Sequence, residues 1–510
     1  MRRSTFDLLK HGVFVVILLI GSVFALGGRA GWLPPPEGLS TTGLITAGVM
    51  LVMAASWVFD VIPIAATSLI PLALFPLLGV QSGKVVAKAY TSNIIMLLMG
   101  GFFLAKGLER WEVPQRLATH VQRFAQGNPR KLLYGLMGTS AVLSMWLSNT
   151  ATTLVMVTVG LAAVQRARAD ERNQPADVEQ FKLALLLGIA YAANVGGIAT
   201  PVGTAPNAIF LGLVEKADGG MSISFLMWMI LAVPLVVVLV PLIAYLLSRV
   251  LCPFPADLQL GVVDDDVPPL PEGGKRALFI FTLTALLWVF RKDLNLEVIV
   301  IPGWASALGL SKFVDDGTVA MLGAVLMFAM PAGSRKPHSH VDNHPEAAAK
   351  QRVLDWATAN TIPWNLIVLF GGGLALAAAF KATGLSAFLG QKLVWLEGMP
   401  AWVIVLVLCF GMSLLTEVTS NTATTTLLLP VFAAAAAPLH LPPVLLMFPA
   451  TLCASAAFIL PISTPPNAIA AGQGDIPVAQ MARVGAVINV VAVILVTLLT
   501  TVWVRSRLGV

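Results

Sequence analysis

Charge is what this 510-residue chain has least of: Asp, Glu, Lys and Arg together supply 11% of it, against roughly 25% in an average soluble domain. So little charge excludes an ordinary water-covered surface. Cysteine is nearly absent too. Cys252, Cys409 and Cys453 each lie in or beside apolar runs, without paired spacing or a neighbouring histidine, which excludes a disulfide framework and a thiolate metal site and leaves them as small core residues. The 32 basic and 26 acidic side chains fall in short connections instead of one basic stripe, so nucleic acid is excluded as a partner. Strict in-out alternation over short segments is missing as well, which removes a membrane β-barrel.

What is present is apolar sequence in long blocks. Hydrophobic residues make up 57% of the chain and the mean hydropathy is +0.84. About 20 such residues cross a bilayer as a helix. Suitable runs occur near 12–27, 42–58, 61–79, 92–108, 182–214, 224–250, 276–290 and 317–331, then near 363–380, 401–437, 442–472 and 480–504. The fold expected is an all-α polytopic membrane protein. Arg2, Arg3 and Lys10 precede the first run, and basic flanks stay on the inner face, so a cytoplasmic N-terminus is expected. Two polar stretches read as solvated connections: 251–276 with Asp264, Asp265 and Asp266, and 332–361 with His338, His340 and His344. The histidines have no acidic or cysteine partner there, and a metal site is not expected of them.

The chain repeats itself. Ser148 to Thr153 recurs residue for residue as Ser420 to Thr425, an offset of 420 − 148 = 272. Asn93, with Gly100 and Gly101 beyond it, matches Asn365 with Gly372 and Gly373 at the same offset. Pro201 to Ile209 matches Pro461 to Ile469 at 467 − 207 = 260, and the shortfall of twelve residues fits an insertion in the charged loop 165–182. The flanks differ. Arg110, Arg116, Arg123, Arg130 and Lys131 precede the first copy and Arg166, Arg168, Arg172 and Lys182 follow it, whereas no Lys or Arg lies between 393 and 482 around the second. By the positive-inside rule the first copy starts and returns inside, the second outside.

A segment that returns to its own face is a re-entrant hairpin, and the stretches 132–147, 151–165, 402–418 and 423–437 are each expected to be too short to span. Two opposed hairpins, near 132–165 and 402–437, are therefore expected, with broken helices near 182–214 and 442–472, as an inverted repeat. Irregular backbone at membrane depth must be buried or line a wet cavity, so the tips are expected to meet near the midplane. The organisation expected is scaffold helices over 1–91, a first repeat over 92–250, connecting loops and helices over 251–362 and a second repeat over 363–510.

Helical arms are expected to start at Thr150 and Thr422, with Ser and Asn before them as caps. Their amide ends bind an anion without any basic side chain, and the oxygens of the same residues suit a hard cation. The proline-rich breaks Gly203–Asn207 and Ser463–Asn467 free further carbonyls. Glu417, three residues before Ser420, is open to two readings: an intramembrane proton relay, or a carboxylate that packs the hairpin by accepting backbone amides. Asp60 is expected to cap the helix that follows it, and the glycine pairs at 100 and 371–373 to permit close helix packing. No nucleophile with a base, paired aspartates or metal motif falls at the repeats, so an enzyme is not expected, and the inverted hairpins suit alternating access better than a channel.

At these residues the chain resembles the divalent anion/sodium symporter family, whose markers are the paired Ser-Asn-Thr tips and the Thr-x-Pro-Asn breaks at Thr204–Asn207 and Thr464–Asn467. The resemblance implies a homodimer in a plasma (inner) membrane, each protomer holding a scaffold and a transport domain that moves like an elevator. It implies a first sodium site at Ser144, Ser148, Asn149 and Gly203 and a second at Thr416, Thr419, Asn421 and Ser463. A dianion would meet Asn149, Thr150, Thr204, Ser420, Asn421, Thr422, Thr464 and Pro465. Thr419 and Ser463 stand where the family often has smaller residues. The expected function is sodium-coupled import of a divalent organic anion, a C4 dicarboxylate such as succinate or malate, with sulfate or citrate symport and sodium-independent exchange as the alternatives.

Overall fold

The structure, a computed structural model, describes residues 2–59, 62–217, 220–261, 269–295, 300–333 and 351–509. Asp60, Asp264 to Asp266 and the three linker histidines lie outside the described residues. Among those described, nine helices are long and apolar enough to cross a membrane. Apolar side chains cover much of the exterior, Val237, Phe279, Val325 and Val502 among them. Water would not tolerate that surface, and lipid does.

Helices of ten or more residues run in chain order as α1 (Arg2–Ala30), α2 (Thr41–Phe59), α3 (Asn93–Arg110), α4 (Val113–Ala125), α5 (Pro129–Ser144), α6 (Asn149–Ala169), α7 (Pro175–Gly197), α8 (Ala205–Val214) and α9 (Phe225–Leu246). They continue as α10 (Glu272–Val289), α11 (Asp316–Ala329), α12 (Trp364–Thr383), α13 (Ala401–Val418), α14 (Asn421–Ala436), α15 (Pro443–Ser455), α16 (Pro465–Gly474) and α17 (Val478–Leu498). A two-residue antiparallel pair, Leu294–Asn295 with Val300–Ile301, sits between α10 and α11. Local chemistry sets the starts. Asn128 caps α5 by accepting from Lys131 N at 3.0 Å, with Pro129 at the first helical position. Asp315 and Thr318 form a capping box on α11.

Four expectations change on contact with the structure. The run 61–79 is not one span but two short helices, Ile64–Ser68 and Ile70–Leu77, because Pro71 falls in the first turn of the second and brings no amide donor. The hairpin arms are not all short: α6 has 21 residues and α13 has 18, both within spanning length. The twelve-residue difference between repeats is not loop. It lies in helices, since α6 and α7 have 21 and 23 residues where α14 and α15 have 16 and 13, and only 170–174 separates α6 from α7. Finally, α4 went unforeseen because its apolar face is too sparse to register as a run. It buries Val113, Pro114, Ala118 and Ala125 and exposes Gln115 and His120 together with Leu117 and Phe124, a mixed outer face that suits a helix lying in an interface plane.

The centre is built from the two broken helices, α7/α8 and α15/α16. Hairpin α5/α6 packs on α7 and hairpin α13/α14 on α15, while α7 crosses α16 and α8 crosses α15. Each hairpin also reaches the opposite break, α6 against α16 and α14 against α8. The repeated glycines do what was expected of them: a Cβ on Gly100 would lie 2.6 Å from Ala320, and one on Gly372 2.2 Å from the Ser68 carbonyl. They allow α3 to approach α11 and α12 to approach the Ile64–Ser68 helix.

Candidate functional site

Both tips line one cavity of about 490 Å³. Ser148, Asn149 and Thr150 face it from the first hairpin and Ser420, Asn421 and Thr422 from the second, with the breaks at Gly203–Pro206 and Ser463–Pro466 between them. Twelve of the fourteen residues singled out in the sequence lie on its wall; Ser144 and Thr416 stand behind it, fully buried. The helices begin one residue earlier than expected, at Asn149 and Asn421, with Ser148 and Ser420 as caps. Four helices therefore start at this cavity, preceded by Ser148, Thr204, Ser420 and Thr464, of which Ser148 and Thr464 cap with their side chains. Each such end carries roughly half a positive charge. Among the described residues no Lys, Arg or His lines the cavity.

The two halves repeat their hydrogen bonds as well as their sequence. Ser144 Oγ donates to Asn149 Oδ1 at 2.6 Å, and Thr416 Oγ1, 272 positions on, donates to Asn421 Oδ1 at 2.5 Å. In the breaks, Asn207 Nδ2 holds the carbonyls of Gly197, Ile198 and Thr200 at 2.7–3.3 Å. Asn467 Nδ2 holds those of Ala457 and Leu460, with Ser463 Oγ, at 3.0–3.2 Å. These amides replace the partners that the lost helical bonds left open.

Oxygens crowd together beside the first tip. A Cβ on Gly197 would lie 2.7 Å from Asn149 Oδ1 and 3.2 Å from the Gly203 carbonyl, and one on Gly203 would lie 3.0 Å from the Met145 carbonyl. Only glycine leaves these hard ligands a common space, and that donor set fits an alkali cation. At the second tip Thr416 Oγ1 also donates to the Ala454 carbonyl at 3.0 Å. The hydroxyls of Thr419 and Ser463 are committed locally, Thr419 to the Leu415 carbonyl and Thr424, Ser463 to the Leu460 carbonyl. Extra side chains at these two positions therefore tie down their own backbone.

Glu417 resolves in favour of the packing reading. Its Oε1 accepts the amides of Phe458 (2.7 Å) and Ile459 (3.0 Å), its Oε2 accepts that of Leu460 (3.0 Å), and Asn489 Nδ2 reaches Oε1 at 3.3 Å. The residue is 4% exposed. At the matching place in the first half the break is tied down otherwise, by the Thr200 hydroxyl on the Met145 carbonyl. Sequence reasoning passed over Asn194, 1% exposed on α7, which donates to Thr464 Oγ1 and Asn467 Oδ1 at 3.1 and 3.2 Å. Its signal was there: a lone amide in an unbroken apolar helix. Trp146 was missed too; it lines the cavity and stacks on Phe225 and Trp288 at 6.0 and 6.5 Å.

Hairpins and broken helices that gather their polar ends around a single cavity, inside an otherwise apolar multi-pass bundle, define a membrane transporter and not an enzyme. The particular kind follows from comparison. The family model described as the sodium:sulfate symporter transmembrane region matches residues 15–508, and the chain belongs to that family of divalent anion/sodium symporters. It is 36% identical over 483 residues to the sodium-dependent dicarboxylate transporter SdcS of Staphylococcus saprophyticus, covering 93% of this chain and 89% of that one. To SdcS of Staphylococcus aureus strain USA300 it is 35% identical over 473 residues, 91% and 86% of the two chains. Among solved structures, the YdaH transporter of Alcanivorax borkumensis aligns with a TM-score of 0.56 at 14% identity over 98% of both chains. Neisseria gonorrhoeae MtrF aligns with a TM-score of 0.53 at 13% identity over 98% and 94%. These two share the fold alone.

Proposed function

We propose that the protein is a sodium-coupled symporter that carries a C4 dicarboxylate such as succinate or malate into the cell, as a homodimer in the plasma membrane with its N-terminus cytoplasmic. The observation that carries this reading is the cavity wall: four helix N-termini with no basic side chain. Such a wall attracts a dianion but does not neutralise it, so captured cations must supply the balance. The relatives named sodium-dependent dicarboxylate transporters support the same choice of ion and substrate. The dianion meets Asn149, Thr150, Thr204, Ser420, Asn421, Thr422, Thr464 and Pro465. One sodium sits with Ser144, Ser148, Asn149 and Gly203, another with Thr416, Thr419, Asn421 and Ser463.

Coupling has an electrostatic purpose. A dianion entering an inside-negative cell is opposed by about 2.3 kcal/mol per charge per 100 mV, and about three sodium ions reverse the sign. The hairpins and broken helices move as one body against a scaffold built on α1–α3 and α10–α12, in the manner of an elevator, and carry the site with them. A sodium-independent exchanger of the same fold would place a fixed cation at the cavity, where none of the described residues supplies one.

Proteoliposomes holding the purified protein should accumulate labelled succinate when an inward sodium gradient is imposed, and not under a potassium gradient alone. Accumulation of equal size without sodium overturns the reading. A second result is expected of Gly197→Ala, whose new methyl displaces Asn149 Oδ1 from the oxygen cluster. Sodium titration of uptake should show half-activation raised roughly tenfold, about 1.4 kcal/mol, with little change in stability.

A further inference from the structure

The two breaks repeat their threonine, proline and asparagine, but one buried amide of the first half has no counterpart in the second. In α7, Asn194 donates its Nδ2 into the opposite break, to Thr464 Oγ1 and Asn467 Oδ1. The equivalent position in α15, 260 residues on, is Ala454. The residues equivalent to its acceptors, Thr204 and Asn207, are retained at the same offset, and α8, which Thr204 precedes, packs on α15 as α16 packs on α7. At the repeat-related position the second half thus offers a methyl group in place of a donor. Asn207 is 0% exposed, and its Oδ1 has no hydrogen-bond partner among the described residues, while Asn467 Oδ1 has one. Thr204 makes no side-chain cap bond, whereas Thr464 accepts from Asn467 N. The hydroxyl of Ser455, beside Ala454 and 1% exposed, is also without a partner.

Leaving a buried amide oxygen unpaired costs about 1–3 kcal/mol, and orientation cannot relieve it here because the Nδ2 of Asn207 already holds three carbonyls. What the place lacks is positive charge of about the size of an amino group. We propose that a third sodium ion binds there, between Asn207 Oδ1 and Thr204 Oγ1 on α8 and the end of α15 at Ala454. The Ala454 carbonyl accepts from Thr416 Oγ1, which also bonds Asn421 Oδ1, so the ion lies one residue from the second sodium site. The broken symmetry then has a function. The first half fills the position with a permanent donor, and the second leaves it for a cation that travels with the substrate. This rests on the sodium-coupled reading above, and supplies the ion that makes uptake of a dianion favourable.

The test is the charge moved per substrate in proteoliposomes, read from the membrane voltage at which net succinate flux vanishes under fixed gradients. The wild type should move about three sodium ions per dianion, and Ala454→Asn, which restores the missing amide, about two, so that its uptake no longer responds to voltage. Ala454→Val fills the same space without a donor and should lose the same ion, which keeps the test open should the asparagine variant fail to fold. If either folded variant stays as voltage-dependent as the wild type, or if the wild type itself moves no net charge, the third site is wrong. A buried water in that place gives the first of those outcomes. Failure of the underlying reading looks different: wild-type uptake would then be indifferent to sodium altogether.

Discussion

Asn421→Ala should abolish sodium-dependent uptake, by roughly 100-fold or more, while leaving a folded protein. One side chain serves two partners there. Asn421 stands at the first position of α14, on the cavity wall, and its Oδ1 accepts the Thr416 hydroxyl at 2.5 Å. Alanine keeps the helix, being the strongest helix former, but removes the oxygen proposed for the second sodium and the amide proposed for the substrate. Each loss costs about 1–3 kcal/mol, and their sum reaches two orders of magnitude or more in uptake. Asn421→Asp separates the two roles. Its carboxylate strengthens the hold on sodium and repels the dianion, so sodium affinity should rise while succinate uptake stays lost. Radiotracer uptake, with calorimetric sodium binding on the same preparations, reads both. Asn149→Ala, in the other tip, should behave alike, because Ser144 bonds Asn149 as Thr416 bonds Asn421.

Glu417→Ala should cost the fold itself. The carboxylate accepts three successive backbone amides, of Phe458, Ile459 and Leu460, in the segment that separates α15 from α16. No helical partner exists for amides at a break, and removing the acceptor leaves them buried and unpaired. The expected penalty is on the order of 3–5 kcal/mol, visible as a large drop in melting temperature in detergent and poor recovery of the purified protein. Glu417→Gln keeps the shape but turns one oxygen into an NH₂ facing an N–H, so it should lose about half as much, and succinate binding should weaken with it. A proton relay predicts otherwise: the glutamine variant would melt and bind like the wild type yet fail to transport.

The contrast between the two halves shows what a sequence can and cannot disclose. The tips were legible because identical hexapeptides at a fixed offset have no reason to exist unless the chain folds the same way twice, and the flanking arginines told the copies apart. The cavity followed, since polar breaks inside apolar runs must face one another or water. Glu417 was ambiguous because its partners are backbone amides 41 to 43 residues away, and a backbone amide leaves no mark in the sequence. Asn194 and Ala454 occupy equivalent positions, but only the structure reveals what an amide at 194 touches. The hairpin arms were misjudged for a simpler reason. Arg166 and Arg168 suggested that the membrane segment had ended, whereas α6 carries its helix past them to Ala169; arginine favours the helix and its stem reaches the interface. The amphipathic α4 hid because a one-sided apolar pattern buries few residues and raises no hydropathy signal.

On the proposed reading, helix ends and captured cations together hold the dianion, neither sufficing alone. Equilibrium binding of labelled succinate to the purified protein, in sodium and then in potassium at matched ionic strength, tests it most directly. Saturable binding in sodium, weakened at least roughly 100-fold in potassium, is the predicted result. Equal affinity in the two salts would overturn that reading, because the cavity would then neutralise its ligand by some means other than bound cations.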